Sequence, residues 1–231
     1  MAHGDKKIEW ENLVFDFDST LVTVESLDEL AGIALRGNPK RESILADIAR
    51  ITKLGMEGAL PFSESLSRRL KLFSATRGDI DELVTLLMKS ITPSVARHRD
   101  FFARHQDRVY VLSSGFKEYI EPVVGSLGIP AERVVANSFL FDGEGRVTGA
   151  DLRNPLTGDK GKVVVVTSLG LGKGTLMIGD GYTDYEVRKE GAAEAFILFS
   201  ENVSREGVIA VADKNVANME EFLYLLGISP S

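Results

Sequence analysis

The sequence predicts an α/β protein in which a mainly parallel sheet is interrupted, after its first strand, by an insert of helices. Short apolar segments that are typical of buried strands recur at residues 13–17, 109–112, 175–178 and 195–199. Helical patterns follow the second and third of these segments, and such alternation is typical of parallel sheets. In residues 26–89, by contrast, apolar residues recur at helical spacing.

The first predicted strand, residues 13–17, ends among two acidic residues, Asp16 and Asp18, which Ser19 and Thr20 follow. Open α/β sheets place their binding sites at the carboxyl ends of their strands. We therefore expect the chemistry of the protein to be centred on this acidic pair.

The insert is expected to contain three or four helices, because apolar residues repeat at helical spacing through residues 44–54, 66–73 and 80–87. It is too short, and too often interrupted by Gly and Pro, to be a coiled coil. The predicted division is a core domain of residues 1–24 and 92–231 and a helical insert of residues 25–91.

Beyond the insert, the same patterns predict the remaining elements. These are strands at 109–112, 134–147 (with a hairpin around 141–145), 175–178 and 195–199, and helices at 116–127, 184–190 and 219–226. Residues 113–115, Ser-Ser-Gly, are predicted to form a turn. Residues 163–166 stay open, because four valines favour a strand whereas residues 160–169 also suit a helix.

The composition excludes several kinds of site. The 231 residues include 27 Lys and Arg, 34 Asp and Glu, 3 His and no Cys, with a net charge of −7. The lack of Cys excludes disulfides, thiolate zinc sites and Cys nucleophiles. The acidic balance disfavours nucleic acid and anionic membranes as partners. Without a membrane-spanning run or a signal-peptide segment, we expect a cytoplasmic protein that works with carboxylates.

Asp16 and Asp18 have the spacing and the location of a reactive carboxylate pair. Two carboxylates at a strand end can share a hard cation such as Mg²⁺. One can attack phosphorus as a nucleophile, and the other can transfer the proton. The alternative is that both acids only cap the following helix. An EF-hand is excluded, because the Gly that its loop needs at position six is Leu21 here.

Three further segments complete the candidate constellation. Asp180 and Asp184 follow the strand at residues 175–178, although Asp184 could simply cap a helix. Ser113 and Lys160 could hold a phosphoryl group, although a strand-end Ser is more often a cap and a loop Lys is usually solvated.

Residues 170–174, Gly-Leu-Gly-Lys-Gly, match neither a P-loop nor a dinucleotide fingerprint.

Four motifs follow one another along the chain: Asp16 with Asp18, then Ser113, then Lys160, then Asp180 with Asp184. In this order they resemble the haloacid dehalogenase superfamily of aspartate-nucleophile phosphohydrolases, and within it the phosphoserine phosphatases. The resemblance implies a Rossmann-like three-layer core with a helical cap. By this match, Asp16 is the nucleophile and Asp18 the general acid and base. Ser113 is the phosphate-binding hydroxyl, and Lys160, in Asp-Lys-Gly, is the lysine of the third motif.

The resemblance also implies a cofactor, Mg²⁺. Asp180 would bind it together with the Asp16 carboxylate and the Asp18 backbone carbonyl, and Asp184 would support these ligands from behind.

In the insert, the resemblance assigns Glu25 to the amino group of a phosphorylated amino acid and Arg69 to its carboxylate, with Arg68 as a rival. The remaining substrate-binding residues that it implies are Met56, Phe62, Ser114, Gly115 and Thr183. Three residues depart from the family pattern: Ser114 replaces a usual Gly, Thr183 a frequent Asn, and Tyr182 a usual small residue.

The function that the resemblance implies is Mg²⁺-dependent hydrolysis of a small phosphorylated amino acid, first of all O-phospho-L-serine, as a step of serine biosynthesis. Two alternatives keep the chemistry: phosphoryl transfer to an alcohol such as homoserine, and hydrolysis of another small phosphate ester. A phospho-receiver signalling module is disfavoured, because the candidate nucleophile lies on the first strand and a helical insert follows it.

Overall fold

Eight strands form two sheets in the part of the chain that the computed structural model describes, residues 7–228. The strands are β1 (Asn12–Phe15), β2 (Val109–Phe116), β3 (Val134–Asn137), β4 (Phe139–Phe141), β5 (Val147–Ala150), β6 (Thr175–Gly179), β7 (Ala195–Phe199) and β8 (Lys214–Val216). Six of them form a parallel sheet in the order β3-β2-β1-β6-β7-β8, and β4 and β5 form an antiparallel hairpin.

Eleven α-helices accompany these strands within residues 7–228. They are α1 (Ser26–Ala34), α2 (Arg41–Met56), α3 (Phe62–Leu70), α4 (Arg77–Lys89), α5 (Pro93–Arg97), α6 (Arg99–Arg104), α7 (Lys117–Gly125), α8 (Gly161–Leu169), α9 (Tyr182–Lys189), α10 (Glu206–Ile209) and α11 (Met219–Leu225). Four of them, α1 to α4, lie between β1 and β2 and constitute the helical insert.

The alternation of side chains along β1 shows that the sheet is covered on both faces. Leu13 and Phe15 belong to one buried apolar cluster, whereas Val14 belongs to the other, and all three are at most 1% exposed. Successive strand residues point to opposite faces, so two helical layers enclose the sheet. Parallel strands buried on both faces need such continuous apolar segments.

The chain enters and leaves the helical insert through adjacent segments. Val22 and Ile91 form an isolated antiparallel bridge, and the Thr23 amide donates a hydrogen bond of 2.8 Å to the Ser90 carbonyl. Within the insert, α1 packs against α4 and α2 packs against α3, while α4 also contacts α7 of the sheet-bearing part. The start of α4 is stabilised by a capping box in which Thr76 and Asp79 bond each other's backbone amides.

The predicted α/β fold with a helical insert is confirmed, and the insert has four helices. Residues 163–166, for which the sequence favoured neither strand nor helix, are helical and belong to α8. The predicted turn at residues 113–115 is wrong, because β2 continues to Phe116. Sequence periodicity did not reveal α5, α6, α10 or β8, which are all six residues or shorter.

The division into two domains stays a prediction. The first six and last three residues of the predicted core domain, among them His3, lie outside the described residues. No helix in residues 7–228 is both long enough and apolar enough to cross a membrane.

Candidate active site

A pocket lies where the carboxyl ends of the central strands face the helical insert. Asp16 and Asp18 follow β1, which pairs with β2 on one side and β6 on the other. The pocket is lined by Asp16, Asp18, Glu25, Leu27, Met56, Phe62, Arg69, Ser113, Ser114, Gly115, Phe116, Lys162 and Thr183. It therefore brings together residues from the acidic strand end, from β2 and from the insert. The free volume of the pocket is about 30 Å³, which is room for about two water molecules and not for an amino acid.

Asp16 is held rigidly at the end of β1. Its backbone amide donates to the Ile178 carbonyl at 2.8 Å, which continues the pairing with β6. Its side chain is buried, and Oδ1 accepts a hydrogen bond of 2.7 Å from the Phe17 amide. The Nζ of Lys162 lies 2.9 Å from the same oxygen. One oxygen of the carboxylate is thus fixed, and the other remains for chemistry.

Lys162, and not Lys160, is the lysine that contacts the acidic cluster. Its side chain is 4% exposed, and Nζ lies 2.7 Å from Asp184 Oδ1 as well as 2.9 Å from Asp16. Burial lowers the pKa of Lys162, but Asp16 and Asp184 outweigh this and raise it above its ordinary value. The ammonium group is therefore charged at any physiological pH.

The assignment of Lys160 from the sequence is corrected by this geometry. Lys160 has a left-handed backbone with φ of 55°, and its ammonium group pairs with Glu190 at 2.6 Å on the surface. Gly161 begins α8 in close contact with the turn at residues 155–157, because a Cβ there would lie 2.7 Å from Leu156 Cα. The first turn of α8 then directs Lys162 into the site.

The loop after β6 and the start of α9 form the second acidic segment. Asp184 is fully buried, and its Oδ2 accepts a hydrogen bond of 3.0 Å from the Gly181 amide. Gly179 is needed at the strand end, because a Cβ on it would overlap the Asp184 carboxylate. With one oxygen on Lys162 and the other on the loop backbone, Asp184 both caps α9 and orients the lysine.

Asp180 is fully buried and makes an ion pair that sequence reasoning missed. Its Oδ2 pairs with Nη1 of Arg205, while Oδ1 is buried without a hydrogen-bond partner. Nη2 of Arg205 lies 3.7 Å from Glu25 Oε1, so one guanidinium connects the acidic cluster with the insert. Arg205 follows β7 and belongs to none of the motifs. A single cation in the loop after β7 has no motif or periodic signal, so the sequence did not place it at the site.

The side-chain oxygens of Asp16, Asp180 and Asp184 offer a site for a metal ion, since one oxygen of each lies within 4.8 Å of the others. Burial, together with the charge of Asp184, raises the pKa of Asp16 to about 7. Burial is also the main cause that raises the pKa of Asp18 and of Asp180. Clustered carboxylates of this kind are stabilised by a divalent cation, and an all-oxygen donor set suits a hard one. The buried free Oδ1 of Asp180 fits this role.

Asp18 and Ser113 approach the pocket from neighbouring strands. Asp18 is half-buried, and its Oδ1 accepts a hydrogen bond of 3.0 Å from the Ser26 amide at the start of α1. The Ser113 hydroxyl accepts from the Gly115 amide at 2.9 Å. A side chain on Gly115 would collide with the Tyr119 hydroxyl at 2.7 Å, so this position in the pocket lining requires glycine.

The insert contributes one cation and one anion to the pocket. Arg69 on α3 is buried within it, whereas Arg68 is exposed and pairs with Glu64 of its own helix. Glu25 also lines the pocket and accepts a hydrogen bond of 2.8 Å from the Ser19 hydroxyl. The structure thus brings Arg69, and not its neighbour, into the pocket. Met56 and Phe62, from either side of the loop joining α2 and α3, line the same space.

The three residues that depart from the family pattern lie at the site or beside it. Ser114 and Thr183 line the pocket. The Ser114 carbonyl accepts a hydrogen bond of 2.8 Å from the Asn137 side chain, another contact that the sequence did not reveal. Tyr182 packs against the insert: a Cβ on Gly58 would lie 3.0 Å from its ring.

The family and the relatives that this chain is similar to are phosphatases or related hydrolases. The haloacid dehalogenase-like hydrolase family matches residues 13–188. The phosphoserine phosphatase of Homo sapiens is 34% identical over 219 residues, which cover 92% of this chain and 90% of that protein. The chloroplastic phosphoserine phosphatase of Arabidopsis thaliana is 34% identical over 216 residues, which cover 92% of this chain and 70% of that protein.

Solved structures agree with these relatives. A phosphoserine phosphohydrolase-like protein from Francisella tularensis superposes with a TM-score of 0.83 at 31% identity, covering 94% of this chain and 99% of that one. A phosphoserine phosphatase captured as a phospho-aspartyl intermediate analogue has the same fold, with a TM-score of 0.74 at 24% identity. The resemblance seen in the sequence motifs is confirmed, and the chain belongs to the haloacid dehalogenase-like hydrolase family.

Proposed function

We propose that the protein is a Mg²⁺-dependent phosphatase that hydrolyses O-phospho-L-serine to L-serine and phosphate through a phosphorylated Asp16. One observation carries this proposal: a single pocket has a buried carboxylate paired with a lysine at its sheet end, and Arg69 and Glu25, two side chains of opposite charge, at its insert end. The first end suits a phosphoryl group, and the second suits an amino acid.

In the first half of the proposed reaction, the free oxygen of Asp16 attacks phosphorus and the bond from phosphorus to the serine oxygen breaks. Asp18 gives its proton to the departing serine oxygen. Lys162 supplies positive charge to the transferring group and keeps Asp16 in position. The Ser113 hydroxyl and the backbone amides near Gly115 hold the phosphoryl oxygens.

In the second half, Asp18 accepts a proton from a water molecule, whose oxygen attacks phosphorus. The bond between phosphorus and Asp16 breaks, which releases phosphate and restores both carboxyl groups to their starting states. The same residue thus acts first as an acid and then as a base.

Mg²⁺ fits the acidic cluster, where the Asp16 carboxylate, the Asp18 backbone carbonyl and Asp180 would hold it and Asp184 would support them. When bound, the cation supplies positive charge that offsets the carboxylates and the phosphate. Arg205 would have to release Asp180 Oδ2 if that oxygen is to become a ligand.

Recognition of the serine part rests on the insert. Arg69 can bind the α-carboxylate with two parallel hydrogen bonds, and Glu25 can bind the ammonium group. Met56 and Phe62 supply apolar walls. Because the free volume is about 30 Å³, the insert (residues 25–91), acting as a cap domain, must shift for the substrate to enter and the product to leave.

Phosphate release from phosphoserine, phosphothreonine and sugar phosphates, with Mg²⁺ and with EDTA, tests the proposal. We expect phosphoserine to have the highest kcat/KM, with loss of turnover in EDTA and in Asp16→Asn. Near-normal turnover by Asp16→Asn would contradict the mechanism. A parallel arm with homoserine, in which serine and phosphate are both quantified, reports phosphoryl transfer to an alcohol as serine in excess of phosphate.

A further inference from the structure

Arg69 is tied to two other residues of the insert through only one of its terminal nitrogens. Nη1 donates a hydrogen bond of 3.2 Å to the Thr52 hydroxyl and lies 3.5 Å from Asp28 Oδ1. The Thr52 hydroxyl in turn donates to the same Asp28 oxygen at 2.8 Å. The three side chains come from α3, α2 and α1, so they form a buried triad across three helices of the insert.

The other edge of the guanidinium is left free. The side chain of Arg69 is only 6% exposed, and its Nε is buried without a hydrogen-bond partner. Nε and Nη2 form the edge from which an arginine donates two parallel hydrogen bonds to a carboxylate. A buried donor without a partner is costly, and Arg69 lines the pocket, so this edge is poised for a ligand.

The triad restricts the orientation of the Arg69 guanidinium, because each hydrogen bond in it has a fixed donor and a fixed acceptor. Thr52 is buried, and its single hydroxyl proton goes to Asp28, which leaves an oxygen lone pair for Nη1. Asp28 is part-buried, with 23% of its side chain exposed, and the charge of Arg69 offsets part of the pKa rise that burial causes. Rotation of Arg69 towards another edge would break its hydrogen bond to Thr52 and separate its charge from Asp28.

We propose that Asp28 and Thr52 are positioning residues that hold Nη1 of Arg69 and so present its Nε–Nη2 edge to the α-carboxylate of the substrate. This inference rests on the proposed function and deepens it. It assigns the selection of substrates with a carboxylate to a triad of which two members need not touch the substrate.

The test compares kcat/KM for phosphoserine and for phosphoethanolamine, which keeps the phosphate and the amine but lacks the carboxylate. In Thr52→Val, which keeps the shape and removes the hydroxyl, we expect kcat/KM for phosphoserine to fall about tenfold, mainly through KM. The value for phosphoethanolamine should change by less than about twofold. Thr52→Ser restores the hydroxyl and should recover most of the loss, whereas Thr85→Val, at an exposed site on α4, should change neither substrate.

Asp28→Asn is the second variant, because it keeps the size of the side chain and removes its charge. It should reduce the preference for phosphoserine in the same direction, and it carries the test if Thr52→Val fails to fold, as judged by circular dichroism. Equal losses for both substrates would overturn the inference, and so would an unchanged preference in the folded variants. If the unmodified protein shows no preference for phosphoserine, the proposed function itself is wrong.

Discussion

At the scale of single residues, two positions separate the lysine expected at the site from the one found there. Lys162 contacts Asp16 and Asp184, while Lys160 lies on the surface with Glu190. The motif Asp-Lys-Gly drew attention to the first lysine. A helix beginning at Gly161 would have indicated the second, because Lys162 then shares a buried face with Val165 and Val166, three and four residues on.

The two lysines provide a matched pair of variants. We expect Lys162→Met to lose at least about a hundredfold in kcat, because a charged donor beside the transferring group is removed. It should also lower the free energy of unfolding by about 3–5 kcal/mol, since two buried carboxylates lose their partner. Lys160→Met should keep near-normal kcat and stability. Phosphate release and urea unfolding measure both, and a loss of activity confined to Lys160→Met would restore the assignment made from the sequence.

At the scale of elements, the helical insert was predictable because periodicity is local, whereas its contacts with the site were not. Apolar spacing indicated the helices, and α1 to α4 occupy the predicted region. Which insert residues reach the pocket depends on how α3 crosses α2 and how the loop at residues 57–61 meets the core. Tyr182 is an example: its sequence position showed only an unusually large residue, and the structure shows it against Gly58.

Removal of the Tyr182 ring should loosen the loop between α2 and α3. Because Met56 and Phe62 flank that loop and line the pocket, Tyr182→Ala is expected to raise KM for phosphoserine about three- to tenfold with a smaller effect on kcat. Hydrogen exchange at residues 57–61 should become faster. Tyr182→Phe keeps the ring and loses the hydroxyl that Lys189 approaches at 3.3 Å, so it should behave like the unmodified protein. Similar effects of both substitutions would show that the hydroxyl matters and the packing does not.

The close contact at the start of α8 gives a second prediction for an element. Gly161→Ala places a Cβ against the backbone of residues 155–156, which cannot move aside easily. We expect a loss of about 1–3 kcal/mol in stability from overpacking and reduced kcat, because Lys162 is the next residue. Gly125→Ala at the end of α7 meets no atom within 4 Å and is the control. Thermal unfolding that ranks the two variants in the opposite order would contradict this account.

At the scale of the whole molecule, the general architecture followed from the sequence, but the charge distribution of the site did so only in part. The predicted motifs come from residues 13–184, and the sheet order places their strand ends together. Arg205, in the loop after β7, and Asn137, the last residue of β3, escaped prediction because a single polar residue has no periodic or motif signal. The net charge of −7 does not show that Lys162 and Arg69 line the pocket, or that Arg205 pairs with Asp180 beside it.

The acidic cluster should couple stability to pH and to metal. A carboxyl group whose pKa is raised on folding binds its proton more tightly in the folded chain. Its contribution to the free energy of unfolding is therefore present at low pH and is lost as the pH rises from near 4 to the folded pKa, about 7 for Asp16. Raised pKa values of Asp18 and Asp180 act in the same direction.

A divalent cation binds the deprotonated carboxylates and competes with these protons. We expect Mg²⁺ to raise the unfolding temperature more at pH 7.5 than at pH 5, relative to EDTA at the same pH. The difference should shrink in Asp180→Asn. Differential scanning calorimetry measures it, and an equal effect of Mg²⁺ at both pH values would argue against binding at this cluster.

The central place of β1 in the sheet has a consequence for synthesis of the chain. Its two neighbours, β2 and β6, begin at Val109 and Thr175, so β1 leaves the ribosome roughly a hundred residues before even the first of them. At bacterial and eukaryotic rates this is a delay of about 5–20 s. The helices of the insert pack mainly against one another and can begin to form during that interval. The helical insert can therefore gain structure before β1 has either neighbour, and the acid pair at the end of β1 reaches its final surroundings only after β6 is synthesised.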